Sequence, residues 1–336
     1  MAKRRLSKQQ KNRIQQRQKR QLDDQATSQN GDIETVASPH QAGIVTCHFG
    51  QQLEVEALEG PRQGHLVRCF QRSNLPPLVC GDRVLFATDD GNTGVVIGQE
   101  SRHSIFSRPN ASGQLKPVAA NIDLVLVVLA PRPQPFLNLL DRYLVAIENL
   151  KLTPVIIVNK ADLLDDDSES VIDTVQSLYP ELGYPVHTVS AHSGSGLEQL
   201  KATLAGKTAA IVGQSGVGKS SLVNALNPGI EANVGALSAA TDKGTHTTTA
   251  ARLFHMDGFD LIDSPGIREF HLWHISPQQL LEGFIEFRPY LGYCKFRDCS
   301  HHSEPGCALQ TAVETGEIAK ARMESYFHIL GSLDQA

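Results

Sequence analysis

The chain has 336 residues and a formal net charge of −5, with 40% hydrophobic and 20% charged residues. That length allows two or three domains that each bury a core, and the composition is ordinary for a globular protein. No apolar run approaches the ~20 residues of a membrane span, and the basic, glutamine-rich N-terminus is no secretory signal, so no membrane association and a cytoplasmic location are expected.

The net charge hides an asymmetry. Nine lysines and arginines fall between Lys3 and Arg20 with no acidic residue among them. Residues 1–38 therefore read as a disordered basic arm, of a kind that binds nucleic acid by releasing counterions. Over 39–110 the pattern changes to short β-like runs, Gly43–His48, Gln52–Ala57, His65–Cys69, Arg83–Ala87 and Thr93–Gly98. Turn signals such as Glu59-Gly60-Pro61 and Asp89-Asp90-Gly91-Asn92 separate them. Five such strands fit an all-β OB-fold barrel, with an SH3-like barrel as the alternative that strand number leaves open. Cys47, Cys69 and Cys80 are scattered here and should pack as small hydrophobes.

Residues 111–274 alternate strand and helix, which predicts an α/β domain with a mainly parallel sheet covered on both faces. Predicted strands are Ile122–Leu129, Val155–Val158, Val186–Val189, Thr208–Val212, Ala250–His255 and Phe259–Ile262. Predicted helices are Phe136–Asn149, Glu169–Tyr179, Leu197–Leu204 and Lys219–Leu226. The candidate ligand-binding motifs all fall at strand ends, where such sheets bind ligands.

The first is Asn159-Lys160-Ala161-Asp162, which closes the run Val155–Val158. A carboxylate at Asp162 can accept from both N1 and N2 of guanine, a donor pair that adenine lacks, while Asn159 reaches the O6/N7 side and the Lys160 stem covers the ring. Ser190-Ala191 follows a strand and offers a backbone N–H towards O6. Next comes Gly213-Gln214-Ser215-Gly216-Val217-Gly218-Lys219-Ser220, a phosphate loop set between a strand and a helix. Its glycines let consecutive N–H groups curl around a β-phosphate, Lys219 adds a point charge, Ser220 offers a hydroxyl to Mg²⁺, and Ser221 reaches the α-phosphate.

Thr247, Thr248 and Thr249 offer a further Mg²⁺ ligand, with no basis for choosing between the first two. Asp263-Ser264-Pro265-Gly266 supplies a carboxylate for Mg²⁺ through water and, at Gly266, an N–H for a γ-phosphate. The next residue is Ile267, which cannot orient an attacking water as the glutamine of small GTPases does. His246 is a candidate for that task, and an ordinary loop residue is the alternative. These motifs occur in a rearranged order, guanine reader before phosphate loop, which makes the domain a circularly permuted P-loop GTPase domain.

Residues 275–336 form a third region, with a terminal helix expected over Glu314–Leu330. Its pattern Cys294-x4-Cys299-x-His301-x5-Cys307 has the donor set of a closed structural Zn²⁺ site in a small zinc-binding helical domain, with His302 as an alternative fourth ligand. Lys295, Arg297, Phe296 and Tyr293 add a basic, aromatic surface suited to RNA.

Taken together, these residues resemble the ribosome small-subunit-dependent GTPase A family of circularly permuted GTPases, from the barrel through Gly213–Ser221, Lys243–Thr249 and Asp263–Ile267 to the Cys/His cluster. The basic arm matches more loosely. The resemblance implies GTP/GDP, Mg²⁺ and one structural Zn²⁺ as bound groups. It also implies a factor, expected as a monomer, that binds the small ribosomal subunit and its rRNA late in maturation and hydrolyses GTP there to leave. Two other classes compete. A P-loop ATPase or small-molecule kinase does not account for Asp162, and a non-catalytic RNA-binding scaffold does not account for Lys219, Ser220 and Asp263.

Overall fold

The computed structural model describes residues 40–50, 52–88, 93–109, 114–164, 169–227, 251–263 and 275–333. Contacts divide the chain into Met1–His40 and a single unit, Gln41–Ala336. In that unit, strands β1 (Gln41–Phe49), β2 (Gln52–Ala57), β3 (Leu66–Gln71), β4 (Arg83–Thr88) and β5 (Thr93–Gln99) form the first body. They close in the order β1-β2-β3-β5-β4-β1, with β3 and β5 parallel and the other neighbours antiparallel. This Greek-key closure is the OB-type barrel rather than an SH3-like one. Alternation explains the inside: Leu53, Val55 and Ala57 of β2 point inward with Val67, Cys69, Val84, Phe86 and Val96, and all are buried.

A two-stranded ribbon, β6 (Ile105–Pro109) and β7 (Leu115–Ala120), follows the barrel and was not expected from sequence. The α/β sheet then runs in the order β10 (Val186–Thr188), β9 (Thr153–Val158), β8 (Leu124–Leu129), β11 (Thr208–Gly213), β13 (Asp260–Asp263) and β12 (Arg252–His255). All neighbours are parallel except β12, which is antiparallel to β13. Strand β8 shows why two faces are covered. Val125, Val127 and Leu129 join the core under helices α1 (Leu137–Asn149) and α2 (Glu169–Glu181), whereas Leu124, Leu126 and Val128 pack with α3 (Leu197–Leu204) and α4 (Lys219–Leu226). Barrel and α/β sheet are continuous, because β12 also pairs with β1 at Cys47↔Arg252.

The C-terminal body starts with α5 (Pro277–Gly283). Ser276 accepts from the Gln279 N–H at 3.1 Å and the Gln279 side chain accepts from the Ser276 N–H at 2.9 Å, a capping box with proline in the first turn. A 3-10 segment, Ile285–Tyr290, leads to the cysteine region. The expected helix over Glu314–Leu330 is α7 (Lys320–Leu333), which starts six residues later, and a further helix, α6 (Ala308–Glu314), precedes it and ends just before Gly316, whose φ is 81°. The core of this body, Leu280, Phe284, Phe287, Leu309, Tyr326 and Ile329, includes Val145 of α1.

Candidate nucleotide and metal sites

Because β10, β9, β8, β11 and β13 are parallel, the motifs that end β9, β10, β11 and β13 share one edge of the sheet despite their distance in sequence. Asn159 ties three of them together. It is 1% exposed, its amide N–H donates to the Val217 carbonyl at 3.0 Å, and its Oδ1 accepts from the Ala191 N–H at 3.2 Å. Lys160, at φ 60°, reaches across from the same turn and donates to the carbonyls of Gly216 at 2.6 Å and Arg132 at 2.8 Å. The sequence expectation of an Ala191 donor to a guanine oxygen meets a geometry in which that N–H braces Asn159.

Asp162 lies exposed in a 3-10 turn, Ala161–Leu163, and accepts from the buried Ser190 hydroxyl at 2.5 Å. That bond, more than any other group nearby, holds its carboxyl below the usual carboxylate range, so it is ionised at neutral pH and keeps its outer lone pairs for donors. Ser190 in turn accepts from the Ser193 N–H at 3.1 Å, which fixes the hydroxyl. Sequence reading assigned Ser190 only a place after a strand; its role as the partner that orients Asp162 comes from the structure.

The loop from Gly213 to Ser220 has the form phosphate binding requires. Gly213 and Gly218 adopt φ of 138° and 89°. A Cβ on Gly213 would lie 2.2 Å from the Val128 carbonyl oxygen, and one on Gly218 would lie 2.5 Å from the Asn159 amide nitrogen, so no other residue fits either position. Lys219 opens α4 and donates to the Gly213 and Gln214 carbonyls at 2.7 Å, which keeps its ammonium over the loop. The first N–H groups of α4 have no intrahelical acceptor, and the end of the helix carries positive potential.

Asp263 ends β13, is 5% exposed, and follows Ile262, whose neighbour Leu261 pairs with Ala209 of the phosphate-loop strand. Its carboxylate and the Ser220 hydroxyl at the start of α4 are both oxygen donors of the kind Mg²⁺ takes. The candidates His246, Thr247, Thr248, Thr249 and Gly266, together with Ile267, lie outside the described residues.

The second cluster is in the C-terminal body. The ligand atoms of Cys294, Cys299, His301 and Cys307 all lie within 4.8 Å of one another. Cys294 Sγ is 3.9 Å from Cys307 Sγ, and His301 Nδ1 is 3.5 and 3.4 Å from those two sulfurs. A tetrahedron of thiolates around zinc has edges of about 3.8 Å, so these side chains already stand at liganding separation and are not disulfide-bonded. His302 points elsewhere, its ring against Phe327 at 4.0 Å between centroids.

Two residues overlooked in the sequence shape this knuckle. Glu304 accepts from the N–H groups of Ser300 at 2.7 Å and Ser303 at 3.1 Å, and the Ser300 bonds hold its carboxyl at about 2. Gln310 donates to the His301 carbonyl at 2.5 Å, at a residue whose φ is 64°. A glutamate five residues beyond Cys299 is a common enough spacing to carry no signal of its own.

Comparison with known proteins agrees with this geometry. The RsgA GTPase family description matches residues 99–273. The chain is 50% identical to the small ribosomal subunit biogenesis GTPase RsgA of Ectopseudomonas mendocina, covering 100% of this chain and 99% of that one. It is likewise 50% identical to the protein of that name from Hahella chejuensis, covering 100% and 98%. Among solved structures, YjeQ from Thermotoga maritima superposes with a TM-score of 0.72 at 33% identity, over 88% of this chain and 99% of that one. YloQ, described as a circularly permuted GTPase, gives a TM-score of 0.69 at 25% identity, over 90% and 98%. A reversed motif order that nonetheless converges on one sheet edge, and relatives matched from end to end, lead to one assignment: the chain belongs to the RsgA GTPase family.

Proposed function

We propose that this protein hydrolyses GTP on the small ribosomal subunit late in its biogenesis, acting as a cytoplasmic monomer that binds rRNA and leaves once GTP is cleaved. The observation that carries the reading is Asn159, whose one amide joins the guanine-reading turn to the phosphate loop and to Ala191. In this reading Asn159 to Asp162, with Ser190 and Ala191, hold the base. Residues Gly213 to Ser221 hold the phosphates. Asp162 selects guanine because an adenine would leave its carboxylate unpaired.

Ser220 and Asp263 are the described residues that would hold Mg²⁺, with Thr247 or Thr248 as a third, and a bound Mg²⁺ offsets negative charge on the β- and γ-phosphates. Lys219 shares that task, and Gly266 offers an N–H to the γ-phosphate. Ile267 cannot orient water, so His246 or a group on the particle does so, and turnover by the protein alone is slow. Zn²⁺ would be held by Cys294, Cys299, His301 and Cys307 in a purely structural role, since the protein fills all four positions.

Two exposed surfaces suit RNA. On the barrel, Phe49 and Phe70 both pair with Gln52, so they share one face two strands apart, about 10 Å. The Arg68 guanidinium stands over the Phe49 ring at 5.7 Å. On the C-terminal body, Tyr293 and Phe296 are exposed and the Lys295 ammonium lies 5.5 Å from the Phe296 ring. Aromatic faces beside cations stack unpaired bases and hold backbone phosphates.

The test is GTP turnover by the full chain with and without mature small subunits. Slow turnover alone and strong stimulation by the particles is expected, and rapid turnover by the isolated protein would contradict it.

A further inference from the structure

Strand β12 has two edges with different partners. On one it pairs with β13 in the register Arg252↔Asp263, Leu253↔Ile262, Phe254↔Leu261 and His255↔Asp260. Directly opposed residues in an antiparallel pair lie about 4.5–5.5 Å apart and are linked through the ladder, so a displacement of Arg252 is passed to Asp263. On its other edge β12 meets the barrel, among the described residues, at one register position, Cys47↔Arg252. Beneath it Ile44 and Cys80 pack with Leu253 and Ile262, and charged side chains close the outer part of the seam. Arg252 Nη2 lies 3.3 Å from Glu54 Oε1, and His255 Nε2 lies 2.8 Å from Glu56 Oε2, while His255 Nδ1 holds Asp260 at 2.6 Å.

The two glutamates belong to the barrel in their own right. Their side chains are 15% and 18% exposed, against 45% and 46% for Arg252 and His255. Glu54 also accepts from the Thr46 hydroxyl at 3.2 Å, and its opposite residue on β3 is Arg68, the cation that stands over Phe49. One carboxylate therefore lies between the exposed aromatic face of the barrel and the strand that flanks Asp263.

We infer that the barrel sets the position of the Asp263 carboxylate through Glu54–Arg252 and Glu56–His255, so that these four are positioning residues for the GTPase site. The inference rests on the reading of Asp263 as a magnesium-site carboxylate. It supplies a route for stimulation by the particle: a partner that engages Arg68 and Phe49 changes the charge beside Glu54, and with it the hold on Arg252. None of the four belongs to the nucleotide motifs, and each acts through the β12–β13 ladder.

The experiment uses the full chain loaded with fluorescent GDP and measures the Mg²⁺ concentration that half-maximally slows GDP dissociation. Glu54→Arg and Arg252→Glu should each raise that concentration about fivefold, the most that a half-exposed ion pair supplies. GDP affinity in EDTA should be unchanged in both. The double exchange E54R/R252E restores the pair with its charges reversed and should return the midpoint to near the native value. Asp263→Asn is measured alongside.

If Asp263→Asn shifts the midpoint while the two single variants keep the native one, the inference is overturned. It is equally overturned if the single variants shift and the folded double exchange does not restore. If Asp263→Asn itself leaves the midpoint unmoved, the magnesium reading of Asp263 falls and takes the inference with it. Should a charge reversal unfold the chain, Glu54→Gln replaces it, with a smaller rise in midpoint expected and no rise counting against the inference.

Discussion

The GTPase domain shares an apolar core with each of its two neighbours but differs in how deeply the charge pairs at the two junctions are buried. The barrel is attached, among the described residues, by one ladder position on β12, by a buried apolar patch in which Ile44 and Cys80 share a core with Leu253 and Ile262, and by ion pairs whose cationic partners are nearly half exposed. The C-terminal body is attached to α1 and α2 by a buried charge cluster. Arg322 of α7 is 1% exposed, bonds Asp141 of α1, and reaches Glu286 at 2.6 Å. Its guanidinium lies between the rings of Tyr179 at 5.3 Å and Phe284 at 4.5 Å, and the Tyr179 hydroxyl donates to Asp141 at 2.5 Å. Val145 of α1 shares the apolar core next to it.

The difference teaches which attachment can be remade. A half-exposed ion pair supplies about 0.2–1 kcal/mol and is screened by salt, whereas removing one partner of a buried pair strands a charge without water. The C-terminal body is therefore fixed to the helices α1 and α2, away from β12 and β13. The barrel sits on the strand that flanks Asp263, and the ion pairs of its seam are the contacts most open to being remade. Packing connects the barrel to Asp263 through β12, which pairs with both β1 and β13.

The largest break in this contrast comes from the zinc knuckle. Structural zinc binds with an apparent free energy of about 10–16 kcal/mol in finger peptides, so chelation or Cys307→Ser should unfold the segment around Tyr290–Cys307. Limited proteolysis there, with guanine-nucleotide affinity retained, is the expected outcome. Arg322→Ala comes next, at about 3–5 kcal/mol, because Asp141 and Glu286 are left buried without their cation. Denaturant unfolding measures it, and a loss below about 1 kcal/mol would place this junction in the same class as the exposed seam.

The smallest effect sharpens the comparison through pH. The Asp260 bond and the charges of Asp260 and Glu56 raise His255 to about 9 from an ordinary value of 6.5. Raised in the folded state, it contributes stability fully below pH 6.5 that is lost as pH rises through about 9. Arg252 and Glu54 share its seam, and Arg83, His103, Asp123 and Lys207 line the crevice on its other side. The stability difference between the native chain and His255→Gln should therefore shrink between those pH values and should also shrink in high salt. The loss caused by Arg322→Ala should show no such trend, because the guanidinium it removes is charged across the whole of that range.

Much of this was legible in the sequence, and the exceptions have physical causes. Alternation marked the five barrel strands, and buried apolar runs marked β8, β9 and β11, because a strand's period is local. The ribbon β6–β7 was not expected; it carries Pro109 and Pro117, which short two-stranded ribbons tolerate. The late start of α7 follows from Gly316, which lies inside the expected span at a φ of 81° and cannot sit in a helix there. Nucleotide and zinc residues were legible because their chemistry demands fixed spacings. The seams were not: Glu54 and Arg252 are 198 residues apart, Asp141 and Arg322 are 181 apart, and a lone charged residue carries no mark of its partner.

The measurement that bears most directly on the whole account is competition for the guanine pocket. Fluorescent GDP bound to the native chain should be displaced by GTP and not by ATP. In Asp162→Asn, where one carboxylate acceptor becomes an amide donor, GTP should lose its hold and XTP, with an oxygen in place of the N2 amine, should gain it. Displacement by ATP as readily as by GTP, or an Asp162→Asn variant with native preference, would contradict a pocket in which Asp162 and Lys219 grip the two ends of one guanine nucleotide.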